Sequence, residues 1–415
     1  MRPNNALQPG GRIVWIDQIK GIAFFFVILG HLSLEPTFKS WVFSFHMPVF
    51  FFATGCTYNI DKILRTPFKD YLLKLSKRLL IPYVWMQLLS VVLRYIELAR
   101  IRHKPVPLVT YLLGIFVGDS NLMNAPSNPL YFVLLLFLAE LVLFLLVKLS
   151  QGDGRKLAVF CAVLLPFSLL SQKVHTPWHI NAVPAVIAMI LLGRLLMQVY
   201  RKNQARIESL EPVRRFALIA ALFSVGALLW FFNGRFGLHG NSYGREFLCA
   251  IASAVCTSTA LALLVMRLPE LRLLTFVGKN TLFYMGFHKP VLLLLEALFR
   301  EWKNEQWFVW TAAVVCYFLL IPAVLVCEKS APFVLGKEMP RASLIAKIGE
   351  VVCVVGATCV PYLHFVNRFA GGLFRTSVPL ELLAVLIYAA AVAGIWLLCR
   401  RVLRFPFLPK EETAA

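Results

Sequence analysis

Three ionisable residues stand in the first apolar stretch of the chain, Asp17, Lys20 and His31, a setting in which such side chains are expensive and usually functional. At about 100° per residue, the step from Lys20 to His31 returns to within about 20° of the same helix face, with Asp17 about 40° to the other side. One stripe therefore carries all three, and a rise of about 1.5 Å per residue separates Lys20 from His31 by about 16 Å, so that one face sees both sides of a membrane. A second histidine, His46, follows after a short loop in Ser44-Phe45-His46-Met47-Pro48. Histidine titrates near neutral pH and can take the proton of a hydroxyl as a general base, which is what acyl transfer to an alcohol requires. Two plainer readings remain beside this one: Asp17 and Lys20 as an interfacial i,i+3 pair, and His46 as a residue holding a helix kink with Pro48.

Further along, Phe287-His288-Lys289-Pro290 places a histidine beside a proline inside an apolar run. Pro290 is expected to interrupt that helix and free backbone carbonyls, so that His288 takes a substrate or structural role with Lys279 and Asn280 at the cytoplasmic end of the same segment. His103, His175, His179, His239 and His364 fall in predicted loops or helix ends and receive no functional role. Glu140, Glu246 and Glu296 stand in apolar runs and are expected to pair across helices. The nine cysteines lack metal-ligand spacing and read as packing residues; no metal is expected.

These residues need helices that cross a bilayer to hold them. Of the 415 residues 59% are hydrophobic and 15% charged, which excludes a soluble domain. Stretches of about 17–25 apolar residues mark twelve expected spans, near 20–37, 41–58, 80–99, 129–148, 157–172, 181–199, 216–233, 246–266, 273–299, 306–327, 347–366 and 379–399. Leu108–Val117 is apolar but too short to cross, and reads as a re-entrant or interfacial piece before the polar loop Gly118–Asn128. The expected class is all-α: a polytopic transmembrane bundle of about ten core helices, with two more after the Pro/Lys-rich stretch Lys329–Arg341. The net charge of +21 sits in short loops and reports topology rather than nucleic-acid binding. With about 28 basic residues assigned inside and about 11 outside, both termini, including Arg2 and the tail with Lys410, are expected in the cytoplasm.

The opening Trp15-Ile16-Asp17, Lys20-Gly21-Ile22-Ala23, Gly30-His31 and Ser44-Phe45-His46-Met47-Pro48, with Phe50-Phe51 and Gly55, resembles the acyltransferase-3 superfamily of membrane O-acyltransferases. Lys20 and His31 match its basic-x10-His signature, and the likeness continues in Lys77–Tyr83, Thr176-Pro177-Trp178, Leu192-Gly193 and Phe276–Leu282 followed by His288. It covers residues 10–338, leaving two further helices over 339–403 and a short tail over 404–415; within the superfamily the chain is most similar to the fucose 4-O-acetylase-like group.

The resemblance implies a multi-pass protein of a bacterial inner membrane that moves an acetyl group from cytoplasmic acetyl-CoA to a hydroxyl of a cell-envelope carbohydrate, a polysaccharide or glycolipid. His31 would be the catalytic base, Lys20 would belong to the essential stripe, and Asp17 or His46 would orient the base. Lys74, Lys77 and Arg78 would meet the CoA phosphates, with Lys74-x-x-Lys77 in place of the family's common Arg-x-x-Arg. Asn128 and Tyr131 would line the acceptor site, where Leu130-Tyr131-Phe132 replaces a common Leu-Trp-Phe. The rival reading is a secondary transporter or flippase for a lipid-linked sugar, in which the same ionisable residues bind substrate or relay protons.

Overall fold

The computed structural model describes residues 7–8, 12–338, 343–370 and 378–403; the expected tail 404–415, Arg2 and Arg341 lie outside the described residues, as does the side chain of His364. Its helices are α1 (Val14–Gly30), α2 (Pro36–Phe45), α3 (Pro48–Cys56), α4 (Ile60–Arg65), α5 (Phe68–Leu75), α6 (Ile81–Tyr95), α7 (Leu108–Val117), α8 (Tyr131–Ser150) and α9 (Gly154–Leu170). The chain continues through α10 (Val183–Lys202), α11 (Gln204–Glu208), α12 (Pro212–Asn233), α13 (Phe247–Val265), α14 (Arg272–Lys279), α15 (Thr281–Leu298), α16 (Gln306–Ser330), α17 (Leu344–Ala370) and α18 (Val378–Leu403). Two short antiparallel ribbons, β1 (Leu7–Gln8) with β2 (Arg12–Ile13) and β3 (Phe236–Gly237) with β4 (Ser242–Tyr243), are the strands among the described residues.

The protein is an all-α helical bundle in which eight helices are long and apolar enough to cross a membrane, among the described residues. Leu108–Val117, expected as an apolar piece too short to cross, is a ten-residue helix with those bounds. Other boundaries differ from expectation. The first helix starts at Val14 and stops at Gly30, where the backbone N–H of His31 turns back onto the carbonyls of Ile28 and Leu29. The second expected span divides into α2 and α3 around His46-Met47, where Pro48 opens a new helix at its first turn.

The described structure forms two compact units. The first comprises Met1–Phe68, Leu135–Tyr284 and Lys303–Tyr317. At its centre lies α1, apolar on nearly every face and accordingly buried along most of its length. Its neighbours approach through small residues: a Cβ on Gly21 would meet the carbonyl of Leu274, and one on Gly278 would meet the carbonyl of Asp17, so α1 and α14 touch backbone to backbone. The same device joins α3 to α10, where Gly193 faces the Phe52 backbone and Gly55 that of Ile190. Aromatic side chains fill the middle of α1: Tyr317 donates its hydroxyl to Gly21 O at 3.1 Å, Tyr284 donates to Tyr317 O at 3.1 Å, and Phe24 meets the Tyr284 ring edge-on at 5.4 Å.

Between α1 and α2 the chain turns at Glu35, whose carboxylate accepts the backbone N–H groups of Thr37 at 2.8 Å and Phe38 at 2.7 Å. These donors hold its pKa below the ordinary carboxylate value. A folded pKa depressed in this way contributes stability above the unfolded value, and that contribution is lost as pH falls through the folded one. Glu35→Ala is therefore expected to lower the unfolding temperature at pH 7, and the gap to wild type should narrow on acidification below about pH 4. A gap that stays constant from pH 7 to pH 3.5 in thermal melts would refute the assignment.

The second unit comprises Lys69–Leu134, Met285–Trp302 and Phe318–Ala415. Here the structure corrects the expected interruption at Pro290, because α15 runs unbroken from Thr281 to Leu298 with the proline inside it. Proline removes the amide that would bond the carbonyl four residues earlier, that of Gly286. Ser127 donates its hydroxyl to that carbonyl at 2.8 Å and Ser90 donates at 3.5 Å, so the freed group is satisfied from neighbouring segments and the helix has no need to open. Gln87 fixes Ser127 by exchanging two hydrogen bonds with its backbone, at 2.9 and 3.0 Å. The break falls instead at Asn280, whose side chain donates to Phe276 O at 3.1 Å and ends α14. Within the 34-residue apolar stretch Phe68–Ile101, Glu97 is buried and ion-paired to both Arg94 and Arg102, a grouping to which the sequence reading gave no role.

Candidate active site

The ionisable stripe of α1 resolves into two ends of one helix. At the N-terminal end Lys20 Nζ lies 3.0 Å from Asp17 Oδ1, with the Asp17 side chain buried and the Lys20 side chain 23% exposed. The C-terminal end of α14 packs here, since Gly278 rests on the Asp17 carbonyl, and it brings Lys279 and Asn280 to the same place. An apolar groove borders the face of α1 that carries Trp15 and Ile19, turned away from Asp17 and Lys20, and is lined by α1, α3, α10 and α13 through residues that include Phe52, Met197 and Ala262. Ser258 and Thr259 also belong to its lining, and their buried hydroxyls have no hydrogen-bond partner among the described residues.

His31 stands at the other end, half-buried, directly after the last turn of α1. Eleven residues of continuous helix separate it from Lys20, which is about 16 Å, so the structure does not bring His31 into contact with Asp17 or Lys20. The turn that follows is held from several directions. Lys39 donates to Leu32 O at 2.8 Å, Ser33 donates to Asn304 Oδ1 at 3.3 Å, and Gln306 donates to Ser33 O at 3.2 Å.

His46 belongs to the same end. A Cβ on Gly30 would touch the Phe43 ring at 3.3 Å, and that ring meets His46 edge-on at 4.9 Å. His46 Nδ1 lies 2.6 Å from Val42 O; a carbonyl can only accept, so Nδ1 carries the proton and donates. The neutral ring then keeps its lone pair at Nε2. The guanidinium of Arg235 lies over the Phe43 ring, 4.3 Å from its centre. Arg235, Asn304 and Gln306 were not found by sequence reasoning, because each lies far along the chain and only the fold brings it to Phe43 or Ser33, beside this end of α1. Partly exposed aromatic rings of α2 and α16 adjoin them, Phe38 with Trp41 at 5.6 Å and Phe38 with Trp310 at 6.0 Å.

The remaining expected site residues belong to the second unit. Lys74 is exposed on the last turn of α5, Arg78 is exposed within the π-helical turn Ser76–Leu80, and Lys77 in that turn pairs with Glu338 at 3.7 Å. Asn128 begins the short 3-10 turn that leads into α8, whose first residue is Tyr131. His288 is fully buried on α15.

A family profile described as an acyltransferase domain matches residues 13–327, a span that includes α1, the His31 turn and α14 through α16. The chain belongs to the acyltransferase-3 family. It is a multi-pass membrane acyltransferase, which favours group transfer over the transporter reading. No curated protein and no solved structure matches it.

Proposed function

We propose that this acyltransferase moves an acetyl group from acetyl-CoA to a hydroxyl of a cell-envelope carbohydrate in a bacterial inner membrane, with His31 as general base. The observation that carries the reading is the placement of Lys20 and His31 at the two ends of α1, inside a chain of the acyltransferase-3 family. His31 removes the proton of the acceptor hydroxyl as its oxygen attacks the thioester carbonyl; the C–S bond breaks, and the departing CoA thiolate takes the proton back from the imidazolium. His46, with Nδ1 committed to Val42, is a positioning residue that shapes this end through Phe43.

On the donor side, the apolar groove lined by α1, α3, α10 and α13 offers a channel for the arm of an acyl-CoA. Lys74, Lys77 and Arg78 supply cationic partners for the CoA phosphates, and Lys279, Asn280 and His288 are assigned to substrate contact together with Asn128 and Tyr131. On the acceptor side, Phe38, Trp41 and Trp310 present ring faces of the kind that stack on the C–H face of a sugar. Trp310→Ala is expected to raise the KM for the acceptor about tenfold, with the KM for acetyl-CoA unchanged. An equal effect on both substrates would remove the tryptophan from the acceptor site.

The reading is tested with purified protein in nanodiscs, acetyl-CoA labelled in the acetyl group, and envelope glycan extracts. Thiol release that depends on added glycan, with label recovered in the glycan, supports it. Absence of CoA turnover with every extract, alongside specific glycolipid binding, would overturn it.

A further inference from the structure

Outside the α1 site, the first unit gathers three of the eight histidines of the chain. The ring centres of His179 and His239 are 5.1 Å apart, and those of His175 and His239 are 6.2 Å apart, with His179 buried and the other two half-buried. They come from two loops well separated in sequence, the segment before α10 and the turn between β3 and β4. Nothing in acyl transfer requires imidazoles here.

The loops are built to hold these rings. Asn181 donates to Val174 O at 2.8 Å and Ser171 O at 3.1 Å and accepts from Thr176 Oγ1 at 2.8 Å, which fixes the backbone on either side of His175. Asn241 donates to Ser168 O and Ser171 O, both at 2.9 Å, and its own carbonyl accepts the Lys173 amide at 3.3 Å, which ties the turn bearing His239 to the segment bearing His175. Four non-glycine residues in these two loops adopt left-handed backbone: Lys173 at φ 63°, Trp178 at 57°, His179 at 52° and Asn241 at 45°. Each such residue carries a steric cost, and a concentration of them marks a place where side-chain direction takes precedence over backbone comfort.

We infer that His175, His179 and His239 form a binding site for one divalent transition-metal ion of the zinc class, which ties the two loops together. Imidazole is the preferred nitrogen ligand of such ions, and two histidines on one tetrahedral ion at about 2.0–2.1 Å bring their ring centres to about 5 Å, the spacing of His179 and His239. His175, its ring centre 6.2 Å from that of His239, is assigned as the third nitrogen donor, and water completes the shell. The assigned role is structural, and it does not rest on the identity of donor or acceptor.

The test uses full-length protein without a polyhistidine tag, stripped with chelator and titrated with Co2+, Cu2+ and Zn2+. The expected result is one Co2+ per chain with visible absorption bands, nitrogen hyperfine coupling in the Cu2+ spin-resonance spectrum, and an unfolding temperature raised by about 3 °C or more in excess Zn2+. His239→Ala and His179→Asn should each weaken Co2+ binding about 100-fold or more, whereas His103→Ala, outside the cluster, should not. Wild-type protein that retains no metal at micromolar concentration, or that binds Cu2+ without nitrogen coupling, overturns the inference whether or not the variants fold. Undiminished binding in both cluster variants overturns it as well.

Discussion

His31→Ala is expected to lower acyl transfer about a thousandfold while the protein remains folded, in line with the loss of a positioned general base. The fold should survive because the contribution of His31 to the end of α1 comes from its backbone N–H, bonded to Ile28 O and Leu29 O, which alanine retains. His31→Gln is the sharper variant, since it keeps bulk and a hydrogen-bonding end but cannot take a proton at neutral pH. The loss should appear in kcat with the KM for acetyl-CoA nearly unchanged, because the imidazole acts on the acceptor hydroxyl in the transition state. Single-turnover rates with labelled acetyl-CoA, beside a thermal melt of each variant, decide it. A His31→Gln protein within tenfold of wild type would remove His31 from the chemistry.

Gly278→Ala is expected to destabilise the protein by about 2–3 kcal/mol and to take activity with it. A methyl at this position falls on the carbonyl of Asp17, which belongs to a buried helix and cannot yield without moving α1. The displaced α1 would carry the Asp17–Lys20 pair with it. Gly356→Ala on α17 is the matching control, because nothing lies within 4 Å of the added methyl. In open space alanine is the better helix former, so that variant should melt at or slightly above wild type. The same substitution in two helices thus has opposite expected signs, read by monodispersity after heating. Equal behaviour would mean that α1 and α14 do not pack through this glycine.

The helical class and the stripe on α1 were legible in the sequence because each is a local property: apolar length sets a span, and the spacing of Lys20 and His31 sets a face. Pro290 was misread because the carbonyl it frees, that of Gly286, is satisfied by the hydroxyls of Ser127 and Ser90, which lie more than 150 residues away in sequence. The first helix begins six residues before its expected start, because Val14–Ile19 contains Asp17, which hydropathy alone treats as a boundary. His179 and His239 each look like an ordinary loop histidine until the fold sets their rings 5.1 Å apart. Arg235 over the Phe43 ring was invisible for the same reason.

The seating of Gly21 against Leu274 also constrains how the chain is made. At about 5–20 residues per second, synthesis of the residues between those two positions takes on the order of tens of seconds, during which α1 waits without its principal neighbour. A helix that carries Asp17 and Lys20 and is meant to be enclosed on most sides is a poor lipid-facing segment for that interval. Ribosomes stalled before Arg272 would leave it exposed, and such nascent chains should be the ones that membrane-embedded chaperones and proteases recognise first.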